Sequence, residues 1–186
     1  ALENHPFDLA LIDLNLPDGQ GNEVLKALSE KSPDTVAVVA TVFNDDPAAQ
    51  AGAFEDAGCD WVHLGQEDLD EADVTAIRAA GLKLGISTHD KAELARALAL
   101  QPDYIALGPI YPTILKKMKW HQQGIEKLCV WKALVGDIPL VAIGGMSTER
   151  APGAFEAGSD VVSAVTDITL HDDPEGRIRD WLEVCG

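Results

Sequence analysis

The stretch Lys83-Leu-Gly-Ile-Ser-Thr-His-Asp-Lys-Ala-Glu-Leu-Ala-Arg-Ala-Leu-Ala-Leu-Gln-Pro-Asp-Tyr-Ile-Ala-Leu107 contains one complete strand–helix–strand unit. Its two ends, 83–87 and 104–107, are short runs that are apolar on both faces, which is typical of strands in a parallel sheet covered by helices. Between them, His89-Asp90 offers a helix-capping side chain, and residues 90–99 follow a helical pattern. This unit predicts an α/β architecture.

The same alternation continues in both directions along the chain. Further strands are predicted at Leu9–Leu14, Val36–Thr41, Trp61–Leu64, Leu140–Ile143 and Val161–Thr166, and further helices near 21–31, 47–57, 70–80, 122–134, 148–157 and 174–184. About seven βα units without a linker predict a single α/β domain over residues 1–186. We expect a (βα)8 TIM-barrel-like fold that is one unit short of closure, and a flavodoxin-like doubly wound parallel sheet is the alternative.

Composition and charge exclude several classes of function. The 186 residues include 31 acidic and 14 basic side chains, which gives a formal net charge of −17. Such a chain lacks the basic surface that binds nucleic-acid phosphates or an anionic membrane, so we expect neither partner. The apolar run Val36–Phe43 is too short to cross a bilayer. Three cysteines without metal-ligand spacing (Cys59, Cys129 and Cys185) favour a reducing, cytoplasmic compartment.

From about residue 58 to residue 186 the sequence resembles thiamine phosphate synthases, over strands four to eight of that family's barrel. The matching motifs are Trp61-Val-His-Leu-Gly-Gln-Glu-Asp68, Gly85-Ile-Ser-Thr-His-Asp90, Ala106-Leu-Gly-Pro-Ile-Tyr-Pro-Thr113, Pro139-Leu-Val-Ala-Ile-Gly-Gly145 and Val165-Thr-Asp-Ile168. The resemblance implies a transferase that joins hydroxymethylpyrimidine diphosphate to thiazole phosphate and releases diphosphate.

From residue 1 to about residue 57 the sequence instead resembles the receiver domain of response regulators, which is flavodoxin-like. The stretch Phe7-Asp-Leu-Ala-Leu-Ile-Asp-Leu-Asn-Leu-Pro-Asp-Gly19 is similar to the receiver strand that ends in a phosphoacceptor aspartate, here Asp13. The next predicted strand places Thr41 at the position of the receiver's switch hydroxyl. We therefore interpret the chain as an engineered chimera of a receiver fragment and a synthase fragment.

The synthase resemblance implies a phosphate site formed by two adjacent strand ends, Gly144-Gly145 and Val165-Thr166. Glycine lets a backbone approach an anion closely, and successive N–H groups form a cradle for it. A phosphate site after the last two strands is also usual in barrels of this type. Phosphate or thiazole phosphate is the ligand that we expect there.

The same resemblance assigns roles to other residues. Lys116 corresponds to the lysine that binds diphosphate, Ser87 to the serine near the pyrimidine, and Thr113 to a thiazole contact. Asp68 matches one of two aspartates that bind Mg²⁺, and Asp45 is a candidate for the second. One or two carboxylates together with substrate phosphates are the usual ligands of Mg²⁺.

The family's Gln-Leu-Arg-x-Lys motif for diphosphate has no counterpart in residues 1–57. We therefore expect a chimeric barrel that binds phosphate with little or no catalysis, since the loss of one stabilising donor lowers rates by about 100-fold or more. Two alternatives stay open, an active thiamine phosphate synthase and a receiver-type phospho-switch at Asp13. Unpaired strands at the sheet edges also suggest a homodimer.

Overall fold

The computed structural model describes residues 9–13, 15–16, 19–31, 36–40, 58–113 and 120–185. The chain forms two compact units, residues 1–86 and 87–186. Short parallel strands and helices alternate in both, so the predicted α/β class is confirmed. The helices within these residues are too short or too polar to span a membrane.

The first unit contains four parallel strands that neighbour one another in chain order. Their bounds are Leu9–Asp13 (β1), Val36–Ala40 (β4), Trp61–Leu64 (β5) and Lys83–Thr88 (β6), whose last two residues belong to the second unit. A separate antiparallel pair joins Asn15–Leu16 (β2) to Gly19–Gln20 (β3). The helices are Gly21–Lys31 (α1) and Val74–Ala79 (α2), and Asp68–Asp70 forms a 3-10 turn.

The second unit contains three further parallel strands, again neighbours in chain order. These are Tyr104–Leu107 (β7), Leu140–Ile143 (β8) and Val161–Ser163 (β9). The helices are Lys91–Ala99 (α3), Glu126–Val135 (α4), Ala151–Glu156 (α5), Thr166–Thr169 (α6) and Pro174–Cys185 (α7). In register, Ile105 lies beside Leu140 and Val141 beside Val161, so the carboxyl ends of the three strands share one edge.

A buried hydroxyl connects the strand end at Thr88 to the core of the second unit. The Thr88 hydroxyl donates to the Ala106 carbonyl at 2.9 Å and accepts the Trp131 indole N–H at 2.9 Å. Thr88 is fully buried and Trp131 almost so. Because an unmatched buried N–H is costly, this pair of bonds ties helix α4 to strand β7 in one arrangement.

The sequence Ala-Gly-x-Asp occurs in both units, and its aspartate makes the same two hydrogen bonds in each. In the first unit, Asp60 donates its N–H to the Ala37 carbonyl (3.0 Å), and its carboxylate accepts the Ala37 N–H (2.9 Å). In the second unit, Asp160 makes the same two bonds to Leu140, each at 2.8 Å. These paired bonds join the aspartate before one strand to the start of the neighbouring strand. The aspartate therefore helps to fix the register of the parallel sheet.

The structure corrects two predicted element boundaries. The predicted strand Val161–Thr166 ends at Ser163, and Thr166 begins helix α6, because the backbone turns at Val165 (φ −126°, ψ −72°). The helix predicted to start at Asp70 starts at Val74, where the Asp73 side chain accepts the Ala76 N–H. The helix predicted near 47–57 lies outside the described residues.

Candidate active site

Two neighbouring loops of the second unit are held side by side where strands β7 and β8 end. The Ile110 N–H donates to the Ile143 carbonyl at 2.9 Å, and the Tyr111 N–H donates to the Gly144 carbonyl at 3.0 Å. The hydrogen bonding of the two strands thus continues into the loops. Residues 108–112 and 143–145 therefore form one fixed wall at the carboxyl edge of the sheet.

Gly144 and Gly145 occupy positions that no other residue fits. Both have left-handed backbones, with φ +89° and +66°. A Cβ on Gly144 would lie 2.6 Å from Pro109 Cβ, and a Cβ on Gly145 would lie 2.5 Å from the Pro112 carbonyl oxygen. The predicted turn therefore consists of backbone atoms only and packs against the β7 loop. A turn without side chains lets an anion approach the backbone closely.

A cation that the sequence analysis did not single out lies beside this turn. The Arg150 guanidinium stacks over the Tyr111 ring, 4.4 Å from its centroid, and donates a hydrogen bond to the Gly145 carbonyl. Arg150 is exposed and lies at the rim of the turn. No motif in the sequence marks this residue, because the ring on which it stacks, Tyr111, lies 39 residues earlier in the chain.

Val165 and Thr166 follow strand β9, the next strand in the sheet. Both residues are half-buried, and Asp167 directly after them accepts hydrogen bonds from Arg177 and Trp181. The structure thus places both predicted phosphate-binding segments at the ends of adjacent strands. Their use by a phosphate stays a prediction.

The other predicted site residues are distributed as follows. Ser87 is half-buried near the end of strand β6, and its neighbour Thr88 is fixed in the core. Thr113 is half-buried in the loop after β7. Lys116, Thr41 and Asp45 lie outside the described residues. Asp13 is the last residue of strand β1, beside Ala40.

A second polar cluster, also missed by the sequence analysis, follows Ser87. The His89 imidazole stacks on the Trp120 ring (centroids 5.4 Å apart) and its Nδ1 lies 2.7 Å from the Glu93 carboxylate. Lys127 donates to the His89 carbonyl at 2.6 Å. Burial lowers the pKa of Lys127, and the nearby carboxylates of Asp90 and Glu93 oppose that effect. These contacts hold the loop after β6 in place.

Asp68, the metal ligand that the sequence predicts, lies in the first unit. Its Oδ2 accepts the Gly65 N–H at 2.8 Å, which fixes the carboxylate at the end of strand β5. The described part of the chain contains no group of three or more potential metal ligands. An oriented carboxylate fits Mg²⁺ as one ligand, because this ion commonly keeps waters and takes phosphate oxygens as well.

His63, on strand β5, does not offer a positive charge to an anionic ligand. It is half-buried on strand β5, and desolvation lowers the pKa of its imidazole to about 4. At neutral pH the ring is therefore uncharged, as expected of a residue that serves packing.

A family model described as thiamine monophosphate synthase matches residues 16–168. The chain is 62% identical to the thiamine-phosphate synthase of Rhizobium etli over 127 residues, which are 68% of this chain and 62% of that protein. It is 50% identical to the synthase of Cronobacter sakazakii over 125 residues, 67% of this chain and 60% of that protein. The chain thus spans about three fifths of the length of these curated relatives.

Solved structures show the same fold. Thiamine phosphate pyrophosphorylase from Pyrococcus furiosus has a TM-score of 0.75 at 21% identity, over 99% of this chain and 85% of that one. 3-Hexulose-6-phosphate synthase from Salmonella typhimurium has a TM-score of 0.73 at 20% identity, over 96% of this chain and 86% of that one. The predicted TIM-barrel-like α/β fold is confirmed.

The interpretation of the chain as an engineered chimera is wrong. The family model begins at residue 16 and includes most of the stretch that resembles a receiver, and high-identity relatives are named synthases. The misleading features were local. The stretch that ends at Asp13 is a short strand of the parallel sheet, and so short a match does not separate one family from another.

The model of the thiamine monophosphate synthase family matches residues 16–168, which is well over half of the sequence. This chain therefore belongs to that family.

Proposed function

We propose that this chain is an active thiamine phosphate synthase, which couples hydroxymethylpyrimidine diphosphate to thiazole phosphate. The observation that carries the proposal is the Gly144-Gly145 turn, closed against the β7 loop, in a chain of this family. A backbone without side chains at that place suits the phosphate of the thiazole substrate.

In the proposed reaction, the bond between the pyrimidine methylene carbon and the diphosphate oxygen breaks, and the electron pair leaves with the diphosphate. The thiazole nitrogen then donates its lone pair to the methylene carbon, which gives thiamine phosphate and free diphosphate without a net proton transfer. The protein's task is to place the two partners in line and to stabilise the leaving charge.

The assigned residues divide this task. Gly144, Gly145, Val165 and Thr166 hold the phosphate of the thiazole substrate, with Arg150 at the rim of the turn. Thr113 contacts the thiazole, and Ser87 orients the pyrimidine. Lys116 binds the diphosphate, and Asp68 is one ligand of Mg²⁺, which offsets the charge of the diphosphate when bound.

The test is turnover with both substrates and Mg²⁺, followed as thiamine phosphate by chromatography. We expect product in proportion to enzyme, and a fall of about 100-fold in Lys116→Ala, the magnitude typical for loss of one charge-stabilising donor. The matched control is Lys91→Ala, an exposed lysine at the start of helix α3. Product no greater than in an enzyme-free blank would refute the proposal.

Two further expectations accompany this function. The reducing, cytoplasmic compartment stays a prediction; all three cysteines are free, and burial raises the pKa of the Cys59 thiol to about 11.

The homodimer also stays a prediction, and sedimentation equilibrium of the full chain tests it directly.

A further inference from the structure

Arg177, on helix α7, is the centre of an ionic cluster in the second unit. Its Nε and Nη2 donate to the two carboxylate oxygens of Asp167 at 2.9 and 3.0 Å. Nη2 also lies 3.0 and 3.1 Å from the two carboxylate oxygens of Glu149. The Trp181 indole N–H donates to Asp167 Oδ2 at 2.8 Å. We call Arg177, Asp167, Glu149 and Trp181 the Arg177 cluster.

The cluster joins helix α6, which contains Asp167, to the turn before helix α5, which contains Glu149. Asp167 directly follows Thr166, and Glu149 lies four residues after Gly145. One guanidinium therefore bridges two residues that closely follow the segments assigned to the phosphate. A planar guanidinium donates in a fixed fork, so it constrains the position of Asp167 in a way that a lysine ammonium does not.

Burial shows which bonds of the cluster carry the constraint. The side chains of Arg177 and Asp167 are 12% and 16% exposed, and that of Glu149 is 69% exposed. Trp181 is buried at 7% exposure. The Arg177–Asp167 fork is thus largely shielded from water and salt, whereas the Glu149 bond is screened.

The charges of the cluster bear on an anionic ligand as well. Arg177 faces three carboxylates, those of Asp167, Glu149 and, at 3.5 Å, Asp180. Without the guanidinium, Asp167 would place an uncompensated negative charge next to Thr166 and repel a phosphate there. The arginine therefore combines geometric and electrostatic support.

We propose that Arg177 is a positioning residue for the phosphate of the thiazole substrate: it holds the Val165–Thr166 segment through Asp167 and links it to the Gly144–Gly145 loop through Glu149. The inference rests on the proposed function. Arg177 itself does not touch the substrate in this proposal, and its effect reaches the ligand through Asp167 and Glu149.

The test compares Arg177→Lys, which keeps the charge and removes the fork, with Arg179→Lys on the same helix. Arg179 is 67% exposed, and its carboxylate neighbour Asp173 is 3.9 Å away. Inorganic phosphate and then thiazole phosphate are titrated into the ¹⁵N-labelled full chain, and the amide signals of Gly145, Val165 and Thr166 are followed. We expect the Kd to rise about 10-fold or more in Arg177→Lys and less than about 2-fold in Arg179→Lys.

Steady-state kinetics separate positioning from mere stabilisation. For Arg177→Lys we expect the KM for thiazole phosphate to rise by the same factor as the Kd, while kcat changes less than about 3-fold. The KM for the pyrimidine diphosphate should stay unchanged. A role in stability alone would lower Tm and leave this KM at its wild-type value well below Tm.

An unchanged phosphate Kd in a folded Arg177→Lys variant would overturn the inference. If Arg177→Lys does not fold, Asp167→Asn replaces it, because it weakens the same fork. Removing this negative charge would by itself favour an anion, so a Kd that does not rise there is equally decisive. A wild-type chain that binds phosphate at these amides but forms no product refutes the proposed function, and the variants still decide the inference. A wild-type chain with turnover but no amide shifts overturns the inference alone.

Discussion

Gly145 shows how a single residue without a side chain shapes the candidate site. Its φ of +66° is unfavourable for any residue with a Cβ, and the space for that Cβ is already taken by Tyr111 and Pro112. Backbone strain of this kind costs about 1–3 kcal/mol, and the clash adds to it because a carbonyl oxygen cannot move as a flexible side chain does. The turn therefore depends on glycine for two separate reasons.

We expect Gly145→Ala to push the β7 loop away from the turn and to raise the KM for thiazole phosphate by about 10-fold or more. Gly136→Ala is the matched control, because Gly136 has nearly the same φ (+62°) but no neighbouring atom within 4 Å of the place that an added Cβ would take. The control variant should lose stability only through the strain of its backbone, and its KM for thiazole phosphate should equal that of the wild-type chain. Equal KM values for the two variants would contradict the close-approach argument.

Strand β5 illustrates how an element sets the chemistry of a side chain. His63 lies on this strand between the buried residues Val62 and Leu64, and desolvation lowers its pKa from 6.5 to about 4. The folded state therefore binds fewer protons than the unfolded state between these two pH values. The free energy of unfolding must consequently fall as the pH is lowered through this window.

Relative to His63→Gln, the wild-type chain should lose roughly 2–3 kcal/mol of unfolding free energy between pH 7 and pH 4, since one pKa unit corresponds to about 1.4 kcal/mol. Urea unfolding at several pH values measures the difference. Parallel pH curves for the two proteins would show that His63 is solvated in the folded state.

At the scale of single helices and strands, the sequence predicted much of the structure. Helix α1 was expected at 21–31, and strands β5, β7 and β8 at 61–64, 104–107 and 140–143, as observed. Apolar runs and caps are local signals, so they locate elements well. The end of strand β9 was predicted incorrectly because Thr166 and Val165 have high strand propensity, whereas the chain there turns into helix α6, where Asp167 meets Arg177.

The charge of the whole molecule affects the approach of any anionic ligand. A net charge of −17 repels anionic substrates such as a diphosphate and a phosphate ester. Salt shortens the range of this repulsion, since the Debye length falls from about 30 Å at 10 mM to ~8 Å at 150 mM ionic strength.

If the chain is a synthase, its kcat/KM for both substrates should rise between 10 and 150 mM NaCl at constant Mg²⁺, by about 2-fold or more. The kcat should change less, because the bound substrates are no longer approaching through solvent. Initial rates at low and saturating substrate measure the two quantities. A fall of kcat/KM with salt would instead indicate local steering by cations such as Arg150.

The sequence by itself determined the α/β class, the parallel strands, the glycine turn and the family motifs, because each depends on the spacing of nearby residues. It also suggested a receiver fragment, since a short strand that ends in an aspartate, here Asp13, does not separate one family of parallel sheets from another.

Only the tertiary structure showed the Arg177 cluster, the stacking of Arg150 on Tyr111, and the bond between Thr88 and Trp131. Their partners lie 10, 39 and 43 residues apart, counted along the chain. Contacts of this kind form when separate elements pack together, and no local pattern of residues encodes which side chains then meet.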